Sequence, residues 1–171
     1  MTAKILPFLL ALALAACDAV GPLGGPGDPL PTRAELVAEF VAPASGEALV
    51  RETGDRPRSY RADASHFTNV TTGTDGTLRR FTVDISGPDA FVSFDQLADG
   101  DTLEAEGALI VGATYAGRGD GGRGSGRLYV TGREGDRIQG VFAADFNGSG
   151  LFPGEWRVTG AFDAALDPDG R

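Results

Sequence analysis

Arg80-Phe81-Thr82-Val83-Asp84-Ile85 reads as a strand, with Phe81, Val83 and Ile85 on one face and Arg80, Thr82 and Asp84 on the other. Successive side chains of a strand point to opposite faces, so an apolar/polar period of two marks a strand buried on one side. The pattern recurs on both sides of this stretch. Leu109, Val111, Ala113 and Tyr115 share a face, and Arg127-Leu128-Tyr129-Val130-Thr131 alternates. The turn Gly132-Arg133-Glu134-Gly135-Asp136 leads into a run that places Ile138, Phe142, Ala144 and Phe146 on one side. The last run turns Trp156, Val158, Phe162, Ala164 and Leu166 inward and Arg157, Thr159 and Asp163 outward. Short alternating runs parted by Gly-rich turns predict an all-β fold, a single antiparallel β-sandwich or barrel-like domain.

Upstream the pattern breaks down in two stages. Residues 1–16 read as a lipoprotein signal peptide, with Lys4 as the positive end and the apolar run Ile5–Ala16 interrupted only by Pro7. A bilayer-spanning helix needs about 17–25 residues, so this run has the length of a signal sequence, not of a span. It ends Leu14-Ala15-Ala16-Cys17, which has the form of a bacterial lipobox. Small residues let the peptidase take the backbone into a narrow cleft, and the Cys17 thiol is the point at which the lipid is joined. Residues 17–32 read as the lipidated Cys followed by a Pro/Gly-rich tether, since 18–32 holds four Pro and four Gly and can neither ladder nor form a helix. The domain proper spans 33–167, leaving 168–171 as a tail. At its start Thr32-Arg33-Ala34-Glu35 is a capping-box pattern followed by Leu36, Val37, Phe40 and Val41 at helical spacing. Leu36, Ala38, Phe40 and Ala42 also alternate as in a strand, so 34–42 has two readings.

Composition removes several kinds of chemistry. The 171 residues carry 15 basic and 24 acidic side chains, a net charge of −9 that processing at Cys17 takes to −10 by removing Lys4, the only Lys. Phosphate binding needs a basic face, so no nucleic-acid partner is expected. With one Cys and one His, neither a disulfide framework nor a cysteine zinc site is available, and no cofactor or metal is expected.

The segments Ser125-Gly126-Arg127-Leu128-Tyr129-Val130-Thr131, Gly135-Asp136-Arg137-Ile138-Gln139-Gly140-Val141-Phe142 and Trp156-Arg157-Val158-Thr159-Gly160-Ala161-Phe162 share a layout of Gly-x-Phe hairpins. Over Gly124–Leu166 this resembles a group of small bacterial envelope lipoproteins with an all-β domain. The resemblance implies a tethered β-domain and carries over no catalytic residue. In it, Gly140 and Gly160 mark close approach or a bulge, while Phe142 and Phe162 fill the core.

The candidates for chemistry are few. His66 has Ser65 beside it and Asp63 three residues back, but neighbours on a strand face apart, which leaves only a distant Ser such as Ser86 or Ser93 as a triad partner. Glu104 and Glu106 share a strand face, as paired hydrolytic carboxylates would, yet that face is the ordinary solvated one opposite Leu103 and Ala105. Asp95, Asp99 and Asp101 sit near Gly100 as in a calcium loop, without the spacing of one. Gly117–Gly126 contains Arg118-Gly119-Asp120, an adhesion triplet of animal proteins, but reads as a long mobile hairpin loop.

The expectation is a protein lipid-anchored through Cys17 to a bacterial membrane, inner or outer, with a non-enzymatic binding or structural β-domain in the cell envelope. Its partners would be the membrane and an envelope protein or small ligand. A lipocalin-like carrier of an apolar ligand is the alternative, and a carboxylate-dependent hydrolase is a remote one.

Overall fold

A computed structural model describes residues 23–54, 57–73, 76–98, 108–117, 121–148 and 154–168. One short helix, α1 (Arg33–Glu39), precedes eight strands: β1 (Glu47–Gly54), β2 (Arg58–Gly73), β3 (Gly76–Ser86), β4 (Ala90–Ala98), β5 (Ala108–Gly117), β6 (Gly121–Glu134), β7 (Arg137–Gly148) and β8 (Gly154–Leu166). Each strand pairs with the next in antiparallel register, and β8 returns to pair with β1, closing a barrel in chain order. The all-β expectation holds, and of its two architectures the barrel is the one that forms. Closure removes the unpaired edges that a sandwich would have to protect.

The alternation read from the sequence sets the two sides of the wall. Phe81, Val83, Ile85, Ala113, Ile138, Phe142, Ala144, Phe146, Val158, Phe162 and Ala164 are buried in one interior cluster. An eight-stranded barrel is just wide enough for side chains to fill. The rings do so: Phe94 lies 4.9 Å from Phe142, and Phe142 lies 6.3 Å from Phe162. Gly160 and Gly140 make room for them. A Cβ on Gly160 would run into the Phe142 ring, and one on Gly140 into the Phe162 ring. Leu166 departs from the inward reading and is 44% exposed. It pairs with His66 in a brief parallel contact between β2 and β8, at the last position of the strand.

A second correction concerns the Gly-rich segment. Gly121–Gly126 is not a loop but the first half of β6, laddered to β5 and β7. Its glycines alternate with outward Arg123 and Ser125, so the inner side of the strand carries only hydrogen. A Cβ on Gly124 would strike the Asp145 backbone and Phe146, and one on Gly122 would meet Trp156 at 3.3 Å. Residues 118–120 of the adhesion triplet lie outside the described residues.

Of residues 34–42, the stretch up to Glu39 takes the helical reading. The Thr32 backbone N–H donates to Glu35 Oε2 at 2.7 Å and the Glu35 N–H to Thr32 Oγ1 at 3.4 Å, which completes the capping box. The chain turns extended at Phe40, ahead of Pro43. Leu36 is fully buried on the outer wall of β6–β8, in a second cluster with Leu23, Tyr129, Val141, Ala143 and Ala161. Leu23–Thr32, the outer part of the stretch read as tether, is therefore seated on the barrel, with Leu23 at 6% exposure.

Candidate functional site

Inside one end of the barrel lies a charged group that its polarity alone would place outside. β1 turns Ala48, Val50 and Glu52 inward, and Glu52 is 5% exposed. Its cross-strand partner is Arg58 of β2. Arg58 grips the carboxylate from both sides, Nε to Oε2 at 2.7 Å and Nη2 to Oε1 at 3.0 Å. The Tyr60 hydroxyl donates to Oε1 at 2.8 Å, and the Tyr115 hydroxyl from β5 lies 3.2 Å from Oε2. Arg58 Nη2 also donates to Tyr115 Oη at 2.7 Å.

Burial and the Glu52 charge hold the Tyr60 phenol far above its ordinary range and push Tyr115 up to about 12. The Glu52 hydrogen bond raises Arg58. At neutral pH the cluster is thus one ion pair flanked by two protonated phenols. A general base needs a free lone pair aimed at a substrate proton. The Glu52 oxygens are occupied by Arg58, Tyr60 and Tyr115. Next to them Trp156 stacks on Phe146 at 5.8 Å and stands edge-on to Tyr115 at 5.1 Å, while its buried indole N–H has no acceptor.

A second polar centre lies on the outer wall. Arg157 of β8 points away from the interior, as its phase predicts, yet is 0% exposed. Nε and Nη2 hold Asp145 of β7 at 2.6 and 2.8 Å. Nη2 also reaches Asp28 O at 2.6 Å, and Nη1 reaches Leu23 O and Pro29 O, both at 3.2 Å. The planar guanidinium, with five donors, clamps the N-terminal segment to the barrel by its backbone. Farther along, Asp163 is 1% exposed and takes hydrogen bonds from Arg137 and from Gln139, the latter at 2.8 Å.

Among the described residues, those singled out in the sequence do not converge. His66 is 5% exposed, near Phe81 at 6.3 Å, and its Nε2 donates to Asp136 O at 2.8 Å. Burial, against the pull of that carbonyl, holds its pKa below the usual imidazole value. Its Nδ1 has no partner. Ser65 faces away from His66, Ser86 is exposed, and Ser93 is a hydrogen-bond partner of Asp84 on the outer wall. Asp95 is bound by Arg80 Nη2 at 2.5 Å and by Thr82 Oγ1 at 2.7 Å, so it serves an ordinary ion pair. Cys17, Asp99, Asp101, Glu104 and Glu106 lie outside the described residues.

Among the described residues no group of His, Cys, Asp and Glu is placed to hold a metal ion, and no helix is long and apolar enough to cross a membrane. Sequence reasoning passed over Glu52 and Arg157. For Glu52 a signal existed, a carboxylate in phase with Ala48 and Val50. For Arg157 there was none, because its cover comes from residues some 130 positions away. Comparison with protein-family models, curated proteins and solved structures yields no match.

Proposed function

We propose that the chain is a lipid-anchored protein of the bacterial cell envelope whose barrel has a non-enzymatic binding or structural role. The sequence support is Leu14-Ala15-Ala16-Cys17, with the chain's only Cys where the lipid would be joined. The structural observation that carries the reading is the mutual pairing of the charged cluster inside the barrel. Glu52, Arg58, Tyr60 and Tyr115 satisfy one another, which suits a structural brace and leaves the Glu52 carboxylate no oxygen free to take a substrate proton. Partners would then meet the outer surface: the membrane through the anchor, and an envelope protein or a small ligand, but no nucleic acid.

Metabolic labelling of cells with an alkyne fatty acid tests the anchor. The chain should take up label and fractionate with membranes, and Cys17→Ser should do neither. A Cys17→Ser variant that still labels and sediments sinks the reading.

One observation favours the carrier alternative, namely that a closed up-and-down barrel of eight strands is the form lipocalins use. Trp156, the only Trp, sits inside it and reports directly. Titration with an apolar dye that leaves Trp156 emission unchanged at micromolar concentration removes the carrier.

A further inference from the structure

The way Arg157 seats the N-terminal segment limits how the barrel can stand on a membrane. If Cys17 is the lipid attachment point, a premise taken from the reading above, five residues separate it from Leu23, a path of six Cα–Cα steps. Fully extended, those steps span about 20 Å. A folded unit of this size is about 35–40 Å across. The tether is thus shorter than the barrel is wide, and the wall opposite Leu23 cannot be brought down to the bilayer.

The wall that can be brought down has an unusual surface. Leu23, Leu36 and Phe40 pack on the same outer face of β6–β8, so α1 covers the wall from which the anchor leaves. A surface helix ordinarily turns charged residues to solvent. Here Glu35 folds back onto Thr32 and Glu39 is drawn aside to Arg51 Nη1 at 2.5 Å. What faces outward is Ala34, Val37 and Ala38 of α1, beside the exposed Arg33, and Val41 just past the extended end at Phe40, with Val37 at 50% and Val41 at 75% exposure.

We propose that this stripe rests on the bilayer that holds Cys17, so that the barrel is presented side-on in one orientation. Two Val side chains would not recruit the protein unaided. They do not need to, since a short tether raises the local concentration of the membrane to where a weak apolar contact suffices. The protein's free surface is then the opposite wall, β2–β4, which faces away from the membrane.

The test uses the full chain, matured in cells, purified in detergent and reconstituted into phosphatidylcholine vesicles with a fraction of nitroxide-bearing lipid. With the Cys17 thiol taken up in the lipid linkage, Val41→Cys or Phe91→Cys supplies the single reactive thiol for a fluorophore. Phe91 is the rival site, 36% exposed on β4, across the barrel from β8. Label at 41 should be quenched several-fold more than label at 91. Equal quenching, or stronger quenching at 91, overturns the proposal. So does label at 41 that is already shielded in detergent, which would put a second copy or another protein on the stripe. A chain that fails to enter vesicles, like Cys17→Ser, overturns the anchor reading itself, and fractionation detects that before any quenching is measured.

Discussion

The two halves of the barrel are built from the same alternating strands but buried differently. In β1 burial alternates residue by residue, with Ala48, Val50 and Glu52 in and the opposite side half-exposed. In β8 the eight residues Arg157–Ala164 are all buried, and β7 is nearly as closed. The difference is the cover. Leu23–Thr32 and α1 make the outside of β6–β8 a second interior, and polar groups there must find partners or lose hydration at a cost. Arg157, Thr159 and Asp163 each have one: Asp145 and the strap carbonyls, Arg51 O at 3.4 Å, and Arg137 with Gln139. On the uncovered half, Thr114 faces water and Arg61 pairs with Glu47 in the open at 2.8 Å.

Removing the clamp should break this contrast most. Arg157→Ala is expected to destabilise the protein by about 3–4 kcal/mol, since it strips a buried guanidinium from its acceptors. It should also expose Leu23–Thr32 to limited proteolysis while the barrel core stays resistant. Denaturant titration with mass analysis of the fragments checks both. If the strap stays protected, the clamp is not what holds it.

Leu36→Ala should cost about 2–3 kcal/mol by emptying the seat of α1. Combined with Arg157→Ala, its effect should fall short of additive, because both changes lift one cover. Full additivity in a double-mutant cycle would mean that strap and helix attach independently.

In the uncovered half, Glu52→Gln should cost about 2 kcal/mol by putting an amide against Arg58. The strap's protease resistance should not change, and that null result sharpens the division between the two halves.

A smaller effect depends on pH. His66 has a folded pKa below 6.5, so the unfolded chain takes up its proton first as the solution is acidified. Its contribution is therefore complete above about pH 6.5 and is lost as pH falls through the window down to the folded value. His66→Gln should flatten the stability profile between neutral pH and pH 5 relative to the parent chain. An unchanged slope would place the acid sensitivity elsewhere. The smallest effect expected is for Val37→Ser, within about 0.5 kcal/mol, as its side chain supports no packing that folding requires.

Much of the fold was legible because alternation is a local property. Phe81, Val83 and Ile85 lie inward as their period requires, and Thr32 and Glu35 cap the helix their spacing announced. The misreadings share one cause. Gly121–Gly126 carries no apolar side chain and reads as loop, yet in a filled barrel the missing side chains are what admit Trp156 and Phe146. Leu166 keeps the phase of its strand, but the strand ends there and the inward position lies beyond the core. None of the Glu52 cluster was singled out, since Arg58 and Tyr60 on the neighbouring strand look ordinary and Tyr115 lies 63 residues away.

The sequence by itself determined the strand periodicity, the helix cap, the exclusion of disulfides and cysteine zinc sites, and the expectation of an anchor at Cys17. It could assign Arg157 to the outside of the wall but not to burial. Which side of a strand a residue takes depends on its neighbours in the chain. What lies over that side depends on segments far away, and only the folded barrel brings Leu23, Asp28 and Pro29 onto the Arg157 guanidinium.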